Sequence, residues 1–293
     1  MSLYRHVLRC NAHNLDLFIP FIISGKHLGW IRNTFADHLH RWPKIFDLSE
    51  GKLLMNDNYS SCETRTKAVK EVCEMLADEN AVPPSRGELF SVAPSLGDAP
   101  LLNIDRAWIS VFGFESYGVH VNGYVTTPAG PELWLGIRSP DCLIDPEKLD
   151  NMVAGGLPAG HTLEENLLKE ASEEASIDKD LALKAHSAGY IGYIMEVKEG
   201  LRRDTLFVYD LAVPEDFEPV DRDGEHINFI KVPASKALSL VQDGDEFKFN
   251  VNLVIIDFSI RHGILKPDHH EYKLLNRGLR PFTKVEDFLI QKS

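Results

Sequence analysis

The chain has 293 residues, of which 31 are Lys or Arg and 44 are Asp or Glu, so its formal net charge is −13. Hydrophobic residues make up 44% and charged residues 26%, a composition that predicts a folded globular protein and excludes a low-complexity chain. The acidic balance argues against binding to nucleic acid or to anionic membranes, because both attract basic surfaces. We therefore expect neither a nucleic-acid partner nor a membrane partner.

The acidic excess is concentrated in the second part of the chain. Residues 1–105 carry 11 basic and 13 acidic residues, a net charge of −2, whereas residues 106–293 carry 20 and 31, a net charge of −11. Most carboxylates in any protein are solvated surface groups. A metal ion can also reverse the local field of a carboxylate cluster, so this balance does not exclude an anionic substrate.

Cysteine spacing and hydropathy predict a soluble, cytoplasmic protein. The four cysteines are far apart and form no C-x-x-C pair, which favours neither a zinc site nor a disulfide framework: Cys10, Cys62, Cys73 and Cys142. The most apolar early stretch, residues 17–23, is too short to span a bilayer.

In the first region, residues 1–105, the pattern predicts a small α+β domain. The predicted elements are a hairpin at 17–31, helices at 34–41 and 62–79, a strand at 88–93 and a Pro/Ser/Gly-containing linker at 94–100. Pro20 lies in the first strand of the hairpin, and proline is typical of sheet edges. We therefore expect that strand at an edge.

The second region, residues 106–265, alternates strands with a few helices. The predicted strands are 117–127, 132–138, 188–198, 204–213 and 226–232, and the predicted helices lie within 155–176, near 234–242 and near 250–263. This order predicts an α/β or α+β fold in which helices cover a mixed sheet. Residues 266–293 show little periodicity and are expected to form a C-terminal tail.

One segment carries the strongest chemical signal. A glycine-rich loop ends at Gly160 and enters a helix, with Thr162 and Glu165 forming a capping-box pattern. On the helix, three carboxylates stand at i, i+3 and i+4 and share one face: Glu170, Glu173 and Glu174. Such an oxygen-rich cluster suits a hard divalent ion such as Mg²⁺, although a solvated acidic helix face has the same pattern.

This segment resembles the signature of Nudix hydrolases, which is Gly, five residues, Glu, seven residues, Arg-Glu, an apolar residue, any residue, Glu-Glu, any residue, Gly and an apolar residue. The chain keeps the spacing throughout, with Gly155, Glu170, Glu173, Glu174 and Ile177 at matching positions. It departs from the signature at three places, where His161 replaces Glu, Lys169 replaces Arg and Ser176 replaces Gly.

The resemblance implies a Nudix-type α/β/α sandwich that hydrolyses a diphosphate bond with Mg²⁺, or alternatively Mn²⁺. By analogy, Glu173 and Glu174 hold the metal, helped by the backbone carbonyl of Ala154. Glu170 is a further metal ligand or the base that activates water. Glu225 lies in a loop before a strand, where many Nudix proteins carry an additional glutamate as base or ligand; a solvated loop carboxylate is the alternative.

A narrower resemblance points to one Nudix branch, the Nudix region of fungal thiamine pyrophosphokinase and related stand-alone proteins. It rests on residues 18–21, 29–32, 112–124 and 200–210, and it covers roughly residues 15–265. Members of this branch are associated with hydrolysis of thiamine diphosphate and its oxidised analogues to monophosphates. The resemblance therefore implies such a diphosphate as substrate.

Four further residues are candidates for substrate binding. Arg202 and Arg203 precede a predicted strand and are suited to phosphate oxygens, or else belong to a solvated hairpin turn. His120 and Asn122 share one face of a strand, where they contact substrate or form a buried polar pair. The three departures at His161, Lys169 and Ser176 favour a second functional hypothesis, a non-catalytic protein that binds a diphosphate metabolite as a sensor.

Overall fold

The computed structural model describes residues 1–281. Within that part of the chain, no helix is both long enough and apolar enough to cross a membrane. The first region consists of three helices and six strands, in chain order α1 (Tyr4–Cys10), β1 (Phe18–Ile23), β2 (Lys26–Arg32), α2 (Asn33–Leu39), β3 (Phe46–Ser49), β4 (Lys52–Met55), α3 (Cys62–Asp78), β5 (Leu89–Val92) and β6 (Leu102–Asp105).

The second region contains the longer strands. Its elements are, in chain order, β7 (Glu115–Thr127), β8 (Gly130–Arg138), β9 (Leu149–Asn151), β10 (Val153–Gly156), α4 (Leu163–Ala175), α5 (Lys179–Ala182), β11 (His186–Glu196), β12 (Leu201–Ala212), β13 (His226–Pro233), α6 (Ala234–Asp243), α7 (Val251–Arg261) and α8 (Tyr272–Leu279). The predicted strands and the three predicted helices of this region all correspond to elements of this series.

The sheet of the first region has the strand order β2-β1-β4-β3. The prediction that β1 is an edge strand is therefore wrong, because β1 lies between β2 and β4. Pro20 is tolerated there because the parallel ladder with β4 begins only at Phe21, so the missing proline N–H removes no bond from it. The predicted hairpin itself is confirmed, with β1 and β2 antiparallel around Ser24 and Gly25.

The seven-stranded sheet is mixed and is the scaffold of the second region. Its main path runs β11-β12-β7-β8-β13, in which β12 and β7 are parallel and the other neighbours are antiparallel. Apolar residues of α4 and α5 pack on one side, and those of α6 and α7 form a separate core cluster with β11 and β12. The fold is thus an α/β/α sandwich, as predicted.

The two ends of the described chain pack together on the second region. Leu3 and Val7 of α1 belong to the same core cluster as Leu275 and Leu279 of α8. The region from residue 266, predicted to be a C-terminal tail, contains the helix α8, in which Leu275 and Leu279 are buried. Residues 282–293 of that predicted tail lie outside the described part.

Residues 94–100, predicted to be a linker, connect two paired strands. β5 and β6 form an antiparallel pair in which Phe90 lies opposite Ile104, so the Pro/Ser/Gly composition belongs to a hairpin connection. The hairpin contacts the glycine-rich loop of the second region, where the Ala159 N–H donates to the Leu89 carbonyl at 2.7 Å. This contact ties the two regions together next to the residues that the sequence singled out.

Candidate active site

The glycine-rich loop and α4 have the local structure that their sequence predicts. The Thr162 hydroxyl accepts from the Glu165 N–H, and the Glu165 carboxylate accepts from the Thr162 N–H, which completes the capping box. At the other end, Ser176 adopts the left-handed conformation with φ 53°. Its hydroxyl donates to the Val220 carbonyl at 2.6 Å, so the serine that replaces the signature glycine ties the helix end to the loop preceding Glu225.

Glu170 and Glu174 are buried on the side of α4 that faces β10. Glu174 is 1% exposed and Glu170 is 7% exposed. The Ala154 N–H donates to Glu174 Oε2 at 2.7 Å, and the Glu170 carboxyl lies so close to Gly155 that a Cβ there would be 2.2 Å from Glu170 Cδ. Only glycine at position 155 leaves room for this carboxylate.

The third helix carboxylate is paired with a lysine. Lys169 Nζ donates to Glu173 Oε2 at 2.7 Å and to Glu170 Oε1 at 3.1 Å. Burial opposes the charged ammonium, but these two carboxylates outweigh it and raise the pKa of Lys169. Lys169 therefore keeps the charge of the signature arginine and bridges two of the three carboxylates.

Glu225 is close enough to act on the same carboxylates electrostatically. Burial raises the pKa of Glu174 well above its usual range, and the charges of Glu225 and Glu170 raise it further. The pKa of Glu170 is raised by burial as well, with smaller contributions from Glu173 and Glu225. The structure thus brings together four of the predicted acidic residues: Glu170, Glu173, Glu174 and Glu225.

These carboxylates fit a divalent cation by charge and by donor type. The carboxylates repel one another in a buried setting, and Lys169 forms direct ion pairs with Glu170 and Glu173. A bound divalent cation would reduce the repulsion that remains. Their oxygen atoms are the ligands that Mg²⁺ and Mn²⁺ prefer. As arranged here, no group of three or more His, Cys, Asp or Glu side chains within residues 1–281 converges on a single ion position. Mg²⁺ commonly keeps several water ligands and binds through one or two carboxylates, so a converged set of three is not needed for binding.

A cavity of about 630 Å³ adjoins this cluster. β10 contributes Ala154, Gly155 and Gly156 to its lining, and the β5–β6 hairpin forms another part of the wall. Its charged lining residues are four cations and two anions: Arg86, Arg106, Arg202, Lys248, Glu199 and Asp204. In a protein with a net charge of −13, this is a locally cationic surface beside the carboxylates.

Two of the predicted substrate-binding residues line the cavity. Arg202 lies over the Phe249 ring, with its guanidinium carbon 5.4 Å from the ring centroid. His120 is 4% exposed and makes a 2.9 Å hydrogen bond with Asn151 Oδ1 through Nδ1. Burial lowers the pKa of His120 to about 4, assisted by the charge of Lys248. A neutral imidazole and a permanent cation therefore face the same space.

The other two predicted residues do not line the cavity. Arg203 donates to the backbone carbonyls of Leu28 and Gly113, at 3.1 Å each, so it connects β12 to the first region. Asn122 is buried, donates to Asp210 at 3.0 Å and accepts from Asn151. Both residues stabilise the walls around the site.

A buried ion cluster behind the cavity was not apparent in the sequence. Asp150, 1% exposed, accepts from Arg138 Nη1 at 2.6 Å and from Lys248 Nζ at 2.9 Å. Burial opposes ionisation of Asp150, but these two cations hold its pKa well below its usual range. Because Lys248 also lines the cavity, Asp150 fixes one of the cavity cations.

Sequence reasoning also missed Arg86 and Arg106, because they flank the hairpin that was assigned to a separate domain. Residues 83–87 have the composition of a turn. This composition predicts that Arg86 lies on the surface, but it does not indicate which part of the protein the turn faces. The contact between β5 and the glycine-rich loop places the hairpin at the cavity, and this contact is not visible in the sequence.

Comparison with known proteins identifies the family. The chain is 40% identical to Nudix hydrolase 24, chloroplastic, of Arabidopsis thaliana, over 93% of this chain and 76% of that protein. The chain belongs to the Nudix hydrolase family. It is also 37% identical to Nudix hydrolase 20, chloroplastic, of the same plant, over 94% of this chain and 77% of that protein. As a member of this family, it is a hydrolase of diphosphate bonds.

Two further similarities cover parts of this Nudix hydrolase. Residues 2–116 match a family described as a domain of unknown function, DUF4743. The MutT protein from Methanosarcina mazei, whose crystal structure is known, is 20% identical in sequence. The match covers 50% of this chain and 94% of that chain, with a TM-score of 0.39.

The cytoplasmic location of this chain stays a prediction.

Proposed function

We propose that this Nudix hydrolase cleaves a small organic diphosphate to the monophosphate, using Mg²⁺ or Mn²⁺ bound by Glu173, Glu174 and the Ala154 carbonyl. Glu170 is either a further metal ligand or the base. The observation that carries the proposal is the position of the two buried carboxylates. Glu170 and Glu174 contact the same strand, β10, that lines a cavity with four cationic side chains. Acidic ligands for a cation thus lie next to basic groups suited to phosphate oxygens.

When bound, a divalent cation neutralises charge on the diphosphate oxygens and makes bound water easier to deprotonate. Glu170 or Glu225 accepts a proton from the attacking water, whose oxygen forms a bond to phosphorus. The bond between phosphorus and the bridging oxygen breaks, and the electron pair leaves with that oxygen.

We propose thiamine diphosphate or one of its oxidised analogues as the substrate. The proposal rests on the sequence resemblance in residues 112–124 and 200–210, described above. It is supported by the half-buried Tyr117 in the cavity lining, since flat heteroaromatic rings pack well against aromatic faces.

The test is phosphate release from a panel of organic diphosphates with Mg²⁺ and with Mn²⁺. The panel includes thiamine diphosphate, its oxidised analogues and nucleoside diphosphate derivatives. Hydrolysis that requires the metal and is lost in Glu174→Gln, but is kept in the exposed-site control Glu164→Gln, supports the proposal. Tight binding of a diphosphate without turnover at either metal would instead favour the sensor hypothesis.

A further inference from the structure

The β5–β6 hairpin, which belongs to the segment matching DUF4743, is fixed directly on the glycine-rich loop. Phe90 is buried against Gly156, where an added Cβ would be 2.5 Å from Phe90 Cζ. One residue away, the Leu89 carbonyl accepts from Ala159. The hairpin is therefore held at a defined position beside β10 by a backbone hydrogen bond and by close ring packing.

The two ends of this hairpin each carry an arginine into the cavity. Arg86 precedes β5, Arg106 follows β6, and both line the cavity. Asp105 joins the two ends, because its buried carboxylate accepts from the backbone N–H groups of Arg86 at 3.1 Å and Ala107 at 2.8 Å. The Gly87 N–H and the Ser85 hydroxyl donate to the same carboxylate. The arginine-bearing turns are thus preorganised by one residue.

Arg86 has the electrostatic character of a cation that lacks its counter-ion. In residues 1–281, its guanidinium forms neither a hydrogen bond nor an ion pair, whereas Arg106 pairs with Glu88 at 2.9 Å. Arg86 is exposed. Partial desolvation and the charges of Arg106 and Arg202 lower its pKa, whereas the charges of Asp105 and Glu88 oppose this. Arg106 pairs with Glu88, and Arg202 lies 3.9 Å from Asp204. Arg86 is therefore the cavity guanidinium whose hydrogen-bond donors are open to a bound anion.

We infer that Arg86 and Arg106 form an anion-binding wall that holds phosphate oxygens of the bound substrate, so that the DUF4743 segment participates in substrate selection. The identity of the anion as a diphosphate rests on the proposed function. The anion site itself rests on the two arginines, their position in the cavity and their fixation by Asp105. A planar guanidinium binds phosphate through two parallel hydrogen bonds, which lysine cannot reproduce.

The test uses methylenediphosphonate, which cannot be hydrolysed at its P–C–P bridge, titrated calorimetrically into the full chain with excess Mg²⁺. We expect Arg86→Gln and Arg106→Gln each to raise Kd by about tenfold or more, since each removes charge-assisted hydrogen bonds. Arg86→Lys should recover only part of the affinity. The matched control is Arg41→Gln, because Arg41 is an exposed arginine of the first region that pairs with Glu79; its Kd should stay within about twofold of wild type.

Wild-type affinity in both glutamine variants would overturn the inference, as would failure of the wild-type protein to bind methylenediphosphonate. The proposed function is judged separately, from turnover of the diphosphate panel by the same wild-type preparation. Weakened binding in the arginine variants without turnover in wild type would refute the hydrolase proposal and support the anion-binding wall. If wild type hydrolyses a diphosphate and the arginine variants bind methylenediphosphonate as tightly as wild type, the hydrolase proposal is supported and the anion-binding wall is refuted.

Discussion

Glu174 and Ala154 are joined by a 2.7 Å hydrogen bond from the Ala154 N–H to Glu174 Oε2. The bond fixes a carboxylate that is 1% exposed against the strand that begins the glycine-rich loop. A single backbone hydrogen bond does not offset burial of a full negative charge next to Glu170 and Glu225. Glu174 is therefore unfavourable for the stability of the metal-free fold, which is typical of a functional residue.

The first prediction concerns Glu174→Gln. Without metal, we expect the variant to be more stable than wild type by about 1 kcal/mol at pH 7, because a neutral amide replaces a carboxyl group whose charged form is disfavoured by burial and by neighbouring carboxylates. Hydrolysis should fall by about 100-fold or more, since even residues that only support metal ligands cost 10- to 100-fold. Urea unfolding in EDTA and steady-state phosphate release measure the two effects.

The control for this prediction is Glu164→Gln, which removes an exposed carboxylate from the first turn of the same helix. Its stability in EDTA and its activity should both stay close to those of wild type. A Glu174→Gln variant that is less stable in EDTA and gains as much from Mg²⁺ as wild type would show that Glu174 is structural.

Features within one helix could be predicted from the sequence, whereas features that depend on the packing of distant segments could not. The spacing of Glu170, Glu173 and Glu174 predicts a shared helix face because all three lie within two turns of one element. The positions of Arg86 and Arg203 depend instead on which distant segments pack together. Arg203 follows Arg202 directly, and the alternation of side chains along β12 sends it to the Leu28 and Gly113 carbonyls. Sequence alone does not show which face of that strand borders the cavity.

The same reasoning explains the incorrect edge assignment of β1. Proline disfavours internal strands because it lacks an N–H, but the rule applies only where a neighbour needs that donor. The ladder between β1 and β4 pairs Phe21 with Leu53 and Ile22 with Leu54 and does not include Pro20. Strand order and ladder length are set by tertiary packing, so local propensity could not reveal them.

The second prediction tests the contact between the two regions. Gly156→Ala should destabilise the protein by about 1–3 kcal/mol, because its Cβ would lie 2.5 Å from Phe90 Cζ and force the ring to move. In a Phe90→Leu background the ring atom is absent, so the same substitution should cost less. Urea unfolding of the four proteins in a double-mutant cycle measures the coupling. Additive effects of the two substitutions would contradict the proposed contact.

The third prediction concerns the ion cluster at Asp150. Asp150→Asn should lower the free energy of unfolding by about 3–5 kcal/mol at pH 7, because Arg138 and Lys248 lose their shared buried counter-ion. The folded state lowers the pKa of Asp150, so its stabilisation is present above the unfolded pKa near 4 and is lost as pH falls through the folded value. Denaturant unfolding at pH 7 checks the first statement. Unfolding between pH 5 and pH 3 checks the second, because wild type should begin to lose this stabilisation below about pH 4 whereas Asp150→Asn should not. A variant as stable as wild type at pH 7 would show that the cluster adds nothing to stability.

The last prediction follows from the buried imidazole of His120. Its pKa in the folded state is about 4, below the value of about 6.5 expected in the unfolded chain. The unfolded state therefore binds more protons, and stability falls as pH decreases below about 6.5. Between pH 7 and pH 5, this group alone should cost about 2 kcal/mol.

His120→Gln removes the titrating ring and should abolish that part of the pH dependence. The remaining slope belongs to the other histidines whose pKa is lowered by burial, such as His226 and His6. The charged groups that act on His120 are Lys248, Asp150 and Asp204, and the substitution leaves all three in place. The wild-type minus variant difference in unfolding free energy is measured at pH 7 and again at pH 5. The change in that difference between the two pH values gives the contribution of His120 protonation. If this difference is the same at pH 7 and pH 5, His120 is protonated in the folded protein at pH 5. A cation at that position would alter the charge that the cavity presents to a phosphate.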